Sequence, residues 1–170
     1  MSLLMTLCHT TVDSPVGPLH IEGDGESVTG LYLPDHKGWT GPVASSRVSD
    51  VAFRDVREQL AEYFAGERQE FNVPLRPEGT PFQRTVWQEL ERIPFGETIT
   101  YAELARRIGN PSASRAVGAA NGKNPISIII PCHRVIGAAG ALTGYGGGLA
   151  NKEWLLEWER SCKGTAALLF

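Results

Sequence analysis

The stretch I-S-I-I-I-P-C-H-R-V-I-G, from Ile126 to Gly137, decides the reading of this chain. Its first five residues are rich in β-branched aliphatics, which predicts a short buried strand. Pro131 has no amide hydrogen and stops the ladder. Cys132, His133 and Arg134 follow at once, so a thiol is expected at the mouth of a strand beside an imidazole and a guanidinium. The thiolate is the reactive form of cysteine and nearby positive charge favours it, so this is a setting for a nucleophile. A buried structural cysteine with two polar neighbours would read similarly, and the flanking residues have to separate the two.

Downstream lies a glycine-rich loop, G-A-A-G-A-L-T-G-Y-G-G-G-L, from Gly137 to Leu149. Glycines allow close backbone approach and expose amides to a ligand. No Lys-Ser/Thr follows in phosphate-loop spacing. A last helix is expected from Asn151, with Trp154, Leu155 and Trp158 for packing and Glu159 near its end. Upstream, Thr80-Pro81-Phe82-Gln83 predicts a capped helix start, with Phe82, Val86, Leu90 and Ile93 buried and Pro94 as its stop. Thr100 and Glu103 repeat the capping-box pattern and Gly109 closes that helix. After Asn110-Pro111, Ser112 is expected to cap a second short helix ending at Gly122. Two short helices about a tight turn, the second carrying Arg115, form a helix-turn-helix pattern.

The first forty residues read as strands or hairpin arms over Met5–Val12, Pro18–Glu22 and Ser27–Leu33, and 34–48 as a loop. A helix follows from a Ser49 or Asp50 cap to about Ala65, with Gly66 as its stop. The extended F-N-V-P-L-R-P-E-G then marks a boundary. We therefore expect an α/β (α+β) protein: residues 1–76 a small sheet-plus-helix domain with linker, residues 77–170 a mainly helical domain with the helix-turn-helix.

Composition excludes several classes. Three widely spaced cysteines make no disulfide framework, and Cys8, His9, His20 and His36 match no zinc spacing, so neither metal nor cofactor is expected. No run reaches the roughly 18 residues of a membrane span, and the N-terminus lacks the basic start of a secretory signal, which predicts the cytoplasm. The net charge is −3, unevenly spread: residues 1–80 carry 6 Lys/Arg against 12 Asp/Glu, residues 81–170 carry 10 against 7. Between 100 and 134, Arg106, Arg107, Arg115, Lys123 and Arg134 face Glu103 alone, a basic focus suited to a polyanion.

With F-Q-R-T-V-W, P-F-G-E-T-I-T-Y, S-R-A-V-G-A-A-N, P-C-H-R-V and L-T-G-Y-G-G-G-L-A-N-K-E-W-L-L-E-W-E in order, the chain from about Thr80 to Glu159 resembles the O6-alkylguanine-DNA alkyltransferases. Before Thr80 the likeness is an outline, through D-S-P-V-G-P-L and Y-F-A-G-E. The resemblance implies that Cys132 accepts the alkyl group, with His133 as base through a water and Glu159 holding the imidazole. It implies that Asn124 stiffens the turn before the active-site strand and that Tyr101 donates towards N3 of the departing guanine. Arg115 would enter the space left by an everted nucleotide in duplex DNA containing O6-alkylguanine, with Ser112, Ala119, Tyr101, Lys123 and Arg134 as further DNA contacts. Val135, Tyr145 and Gly146 would form the base pocket. Family members often carry Ser after that tyrosine; Gly146 keeps the amide and lacks the hydroxyl. A monomer is implied, with cooperative binding along DNA left open. A sequence-specific regulator and a cysteine hydrolase remain alternatives, the latter disfavoured because neighbouring side chains on a strand point to opposite faces.

Overall fold

In a computed structural model, residues 6–168 are described. Strand β1 (Cys8–Val12) pairs antiparallel with β2 (Leu19–Gly23), which pairs antiparallel with β3 (Val28–Tyr32). On β2, Leu19 and Ile21 are fully buried while His20 and Glu22 are not, the period-two pattern of a sheet covered on one face. A two-residue strand β4 (Arg47–Val48) adds to β1 in parallel, giving the order β3-β2-β1-β4. It lies in the segment expected to be all loop. Too short to carry an alternation, it is set by its pairing alone.

The helix predicted after residue 49 begins as a 3-10 turn at Val51–Phe53 and continues as α1 (Arg54–Phe64). It buries Val56, Leu60 and Tyr63, and Gly66 ends it in the left-handed region at φ 79°. Helix α2 (Pro81–Leu90) starts with the expected capping box: the Thr80 hydroxyl accepts from the Gln83 amide, and the Gln83 side chain accepts from the Thr80 amide. Phe82, expected in the core, is exposed. Trp87 fills the core instead, its Nε1 donating to the Ala120 carbonyl at 2.8 Å.

Strand β5 (Ile99–Thr100) leads into α3 (Tyr101–Arg107), and α4 (Ser114–Gly122) follows after a turn. The Thr100 hydroxyl caps α3 through the Glu103 amide, but the Glu103 carboxylate reaches Arg106 and Arg107 rather than back to the cap. Ser112 does not cap α4. Ala113 holds that position without a side-chain bond, while the Ser112 hydroxyl donates to Asn110 Oδ1. Strand β6 (Val135–Ile136) pairs with β5 in parallel, and α5 (Leu149–Leu168) starts two residues before Asn151 and places Glu159 mid-helix.

The largest departure is at the opening stretch. Residues 126–130 are not a strand. Ile126 makes one parallel bridge to Leu31, framed by the Leu31 amide to Pro125 and the Ser127 amide to Leu31, and the chain then turns. Ile128 takes φ 70°, a conformation a β-branched side chain adopts only when its surroundings impose it. Asn124 imposes it: Nδ2 donates to the carbonyls of Ile126 and Ile130, at 3.2 and 2.8 Å, and Oδ1 accepts from the Ile126 amide at 3.0 Å. Backbone groups that a strand would pair in a ladder are thus paired by one carboxamide. The buried core runs continuously from the sheet through α1 and α2 to α4, this turn and α5.

Candidate active site

Cys132, His133 and Arg134 occupy one 3-10 turn directly after Pro131, all buried. The opposed-faces argument drawn from a strand therefore does not apply to this pair. His133 is fully enclosed, and its Nε2 lies 2.7 Å from Glu159 Oε1. The carboxylate fixes the neutral ring as the Nε2–H tautomer, leaving the Nδ1 lone pair as the basic atom. Nδ1 is buried and hydrogen-bonds no protein atom. Burial pulls the imidazole below its ordinary value, against the opposing pull of Glu159.

Glu159 accepts from more than the histidine. Arg134 grips it with Nε to Oε2 at 2.9 Å and Nη2 to Oε1 at 2.8 Å, and the Tyr63 hydroxyl donates to Oε1 at 2.9 Å. Burial pushes this carboxyl up, but the charge and hydrogen bonds of His133 and Arg134 together hold it well below the usual carboxylate range. Arg134 also donates to the Ile93 carbonyl at 2.7 Å. The expectation that Arg134 contacts DNA is thereby corrected: its guanidinium faces inward because a buried carboxylate needs a bidentate partner.

Cys132 is 5% exposed. Burial raises it above its ordinary value; the Asn124 side chain, the Lys152 charge and the backbone amides of Cys132 and His133 act the other way. The resting group is a thiol that must lose its proton to react. Asn121, whose Nδ2 donates to the Cys132 carbonyl at 3.3 Å, ties the turn to α4.

Around this centre the chain gathers the other expected residues. Val135 is buried on β6. Tyr101 heads α3, with its hydroxyl 3.4 Å from both the carbonyl and the hydroxyl of Thr143. Tyr145 lies where burial and the charge of Cys132 both raise its phenol well above the ordinary value. Arg115, Ala119, Lys123 and Ser112 are exposed on α4 and its flanks.

The sequence reading gave two residues no role at the site. Lys152, fully buried, donates from Nζ to the Val135 carbonyl at 2.6 Å and the Thr143 carbonyl at 3.0 Å, tying β6 to the glycine-rich loop. The second is Tyr63. Lysine is almost never fully buried, so only its place inside the stretch L-T-G-Y-G-G-G-L-A-N-K-E-W could have singled it out. Among the described residues, no three His, Cys, Asp or Glu side chains are grouped to hold a metal, and no helix is long and apolar enough to cross a membrane.

Comparison with known proteins places these residues in context. Residues 81–161 match the family model of the 6-O-methylguanine DNA methyltransferase DNA binding domain, and residues 7–77 that of its ribonuclease-like domain. The methylated-DNA–protein-cysteine methyltransferase of Methanosarcina acetivorans is 52% identical over 88% of this chain and 96% of its own. That of Haemophilus influenzae is 48% identical, over 92% and 88%. A crystal structure of Mycobacterium tuberculosis OGT in complex with DNA is similar at TM-score 0.85 and 50% identity, covering 91% of this chain and 94% of that one.

Proposed function

Since this chain belongs to the 6-O-methylguanine DNA methyltransferase family, we propose that Cys132 is the acceptor to which it moves an alkyl group from O6 of guanine in duplex DNA. Its activity is that of a methylated-DNA–protein-cysteine methyltransferase, and DNA is its partner. One observation carries the assignment of roles: the imidazole beside Cys132 is locked on Glu159 through Nε2 and keeps Nδ1 without a protein partner.

The Cys132 thiol gives its proton to His133 Nδ1, directly or through a water, and the sulfur attacks the alkyl carbon. The carbon–O6 bond breaks and its electron pair passes into the guanine ring. Tyr101 supplies a proton towards N3 as negative charge gathers there, and the imidazolium restores the phenol through solvent. In sum, one proton moves from thiol to guanine and one carbon–sulfur bond replaces one carbon–oxygen bond. Glu159 stabilises the imidazolium, and Arg134 keeps Glu159 ionised. Val135, Tyr145 and Gly146 hold the base, and Asn124 holds the turn that presents the thiol.

The damaged carbon is inaccessible in a duplex, so the nucleotide is flipped out, at a few kcal/mol and less for a damaged pair. Arg115 fills the gap, while Ser112, Ala119 and Lys123 meet the backbone as α4 enters the minor groove. We place residues 1–76 and 77–170 as the two working parts of a monomer that acts in the cytoplasm and requires no metal or cofactor.

A thioether has no acidic proton and its sulfur leaves poorly, so Cys132 works once. Limiting protein mixed with excess duplex carrying O6-methylguanine takes up one methyl per active molecule, on Cys132 by mass spectrometry, and then stops. The Cys132→Ser variant takes up none. Sustained turnover, or a methyl found elsewhere, overturns the assignment.

A further inference from the structure

Two glycines of the loop Tyr145–Gly147 are glycines for lack of room. A Cβ added at Gly146 would stand 2.4 Å from His36 Cε1 and 2.6 Å from its Nε2; one at Gly147 would stand 2.9 Å from Leu33 Cδ2 and 3.0 Å from its Cβ. Neither glycine has a positive φ, so the backbone would accept alanine at both. The space is taken by residues that follow β3, at the opposite end of the sequence. The Lys37 amide donates to the Gly146 carbonyl at 2.9 Å, fixing the same contact through the backbone.

His36 is itself held. Its ring meets Tyr32 edge-on at 5.2 Å between centroids, Tyr32 stacks on Trp39 at 5.2 Å, and Trp39 stacks on His20 at 4.6 Å. Trp39 Nε1 donates to Glu22 at 3.1 Å. This ladder of rings stands on β2 and β3, so the sheet reaches the loop through one imidazole. His36 is 8% exposed and its Nδ1 is buried without a hydrogen-bond partner, so packing against Gly146 rather than a polar bond accounts for its position.

We propose that His36 is a positioning residue for the base pocket: it fills the place of a side chain at 146 and sets how closely the Tyr145–Gly147 loop stands over Cys132. The proposal rests on the assignment of Gly146 to the base pocket. It gives the N-terminal sheet a part in substrate selection, and it means that any side chain at 146 has to displace the His36 ring, although the backbone conformation there would allow one. His36 and residue 146 form a coupled pair, in which a side chain at one position excludes the ring at the other.

Four proteins test this: wild type, His36→Ala, Gly146→Ala and the double variant, each reacted with O6-methylguanine duplex and with free O6-benzylguanine. Forcing a methyl against His36 slows Gly146→Ala by roughly ten- to a hundredfold on both substrates, the scale of an overpacked site. Removing the imidazole restores the double variant to within about threefold of His36→Ala, since coupled sites are not additive. His36→Ala alone shifts the ratio of benzyl to methyl rates by about threefold or more, a change that mere loss of stability would not produce. A double variant no faster than Gly146→Ala overturns the proposal. Wild type that places no methyl on Cys132 instead overturns the assignment of the site. Should Gly146→Ala not fold, amide hydrogen exchange decides: His36→Ala speeds exchange across 144–148 and leaves 153–160 unchanged. Unaltered exchange across 144–148 refutes the brace.

Discussion

Glu159 is fully buried and accepts from His133, Arg134 and Tyr63, so each partner's loss leaves a charge or hydroxyl stranded. A buried ion pair replaced whole by apolar groups can be neutral, but removal of one partner is costly because the other charge remains. Glu159→Ala strands the Arg134 guanidinium beside Ile93 and Phe95. We expect it to lower stability by about 3–5 kcal/mol, read from denaturant melts, in addition to abolishing rapid alkyl transfer. A loss under about 1 kcal/mol would mean that Arg134 swings out to water, the ordinary value of an exposed pair. At Cys132 burial raises the thiol as well, so forming the thiolate would need a proton acceptor close by.

At the scale of elements, α3 and α4 pack on each other and α4 also packs on α2, which fixes the exposed end of α4 relative to the thiol turn. Trp87 Nε1 bonded to Ala120 and Asn121 Nδ2 bonded to Cys132 join that end to the core and to the site. Arg115, exposed in the first turn of α4, is therefore held in a fixed relation to the turn that carries Cys132. Arg115→Ala should slow repair of duplex DNA by about tenfold or more, because flipping costs a few kcal/mol, and leave the reaction with free O6-benzylguanine within about twofold. Equal losses on both substrates would assign Arg115 to the fold or the pocket. The turn 124–130 is the other element the site depends on, and it stands on both halves of the chain: Asn124 from within, β3 from outside.

The whole molecule carries a pH dependence whose sign follows from its buried groups. Burial depresses His133 and His36 below the imidazole value of 6.5, and Glu159 is held below 4.5. In each case the unfolded chain binds its proton more readily than the folded one. The stability these groups contribute is therefore complete above pH 6.5 for the two imidazoles. It is lost as pH falls from there towards their folded values, and the Glu159 share is lost below about pH 4.5. Melting temperature should fall between pH 7 and pH 5, and the combined His133→Asn and His36→Asn variant should show a flatter profile over that range. A wild-type melting temperature constant from pH 7 to pH 5 would mean that both imidazoles take up protons without leaving their places.

Local chemistry was legible residue by residue. The Thr80 cap, the hairpin strands around Leu19–Gly23 and the adjacency of Cys132 with His133 depend on neighbours within a few positions, and such short-range rules act before any tertiary contact forms. The run Ile126–Ile130 announced its burial but not its shape, because an unbroken apolar run has no period to distinguish a strand from a turn. Its shape came from Asn124 and from the edge of β3, nearly a hundred residues upstream. Arg134 read as a free cation in a basic stretch; only the fold brings Glu159, 25 positions on, and Tyr63, 96 positions before Glu159, to the same buried point. His36 over Gly146 is a contact of the same kind. Sequence by itself determined which groups could react and where helices and hairpins start, since those follow from covalent neighbours. Tertiary structure alone decided which charges face inward and what stands over the Tyr145–Gly147 loop, since burial and pairing belong to residues that meet only when the chain is folded.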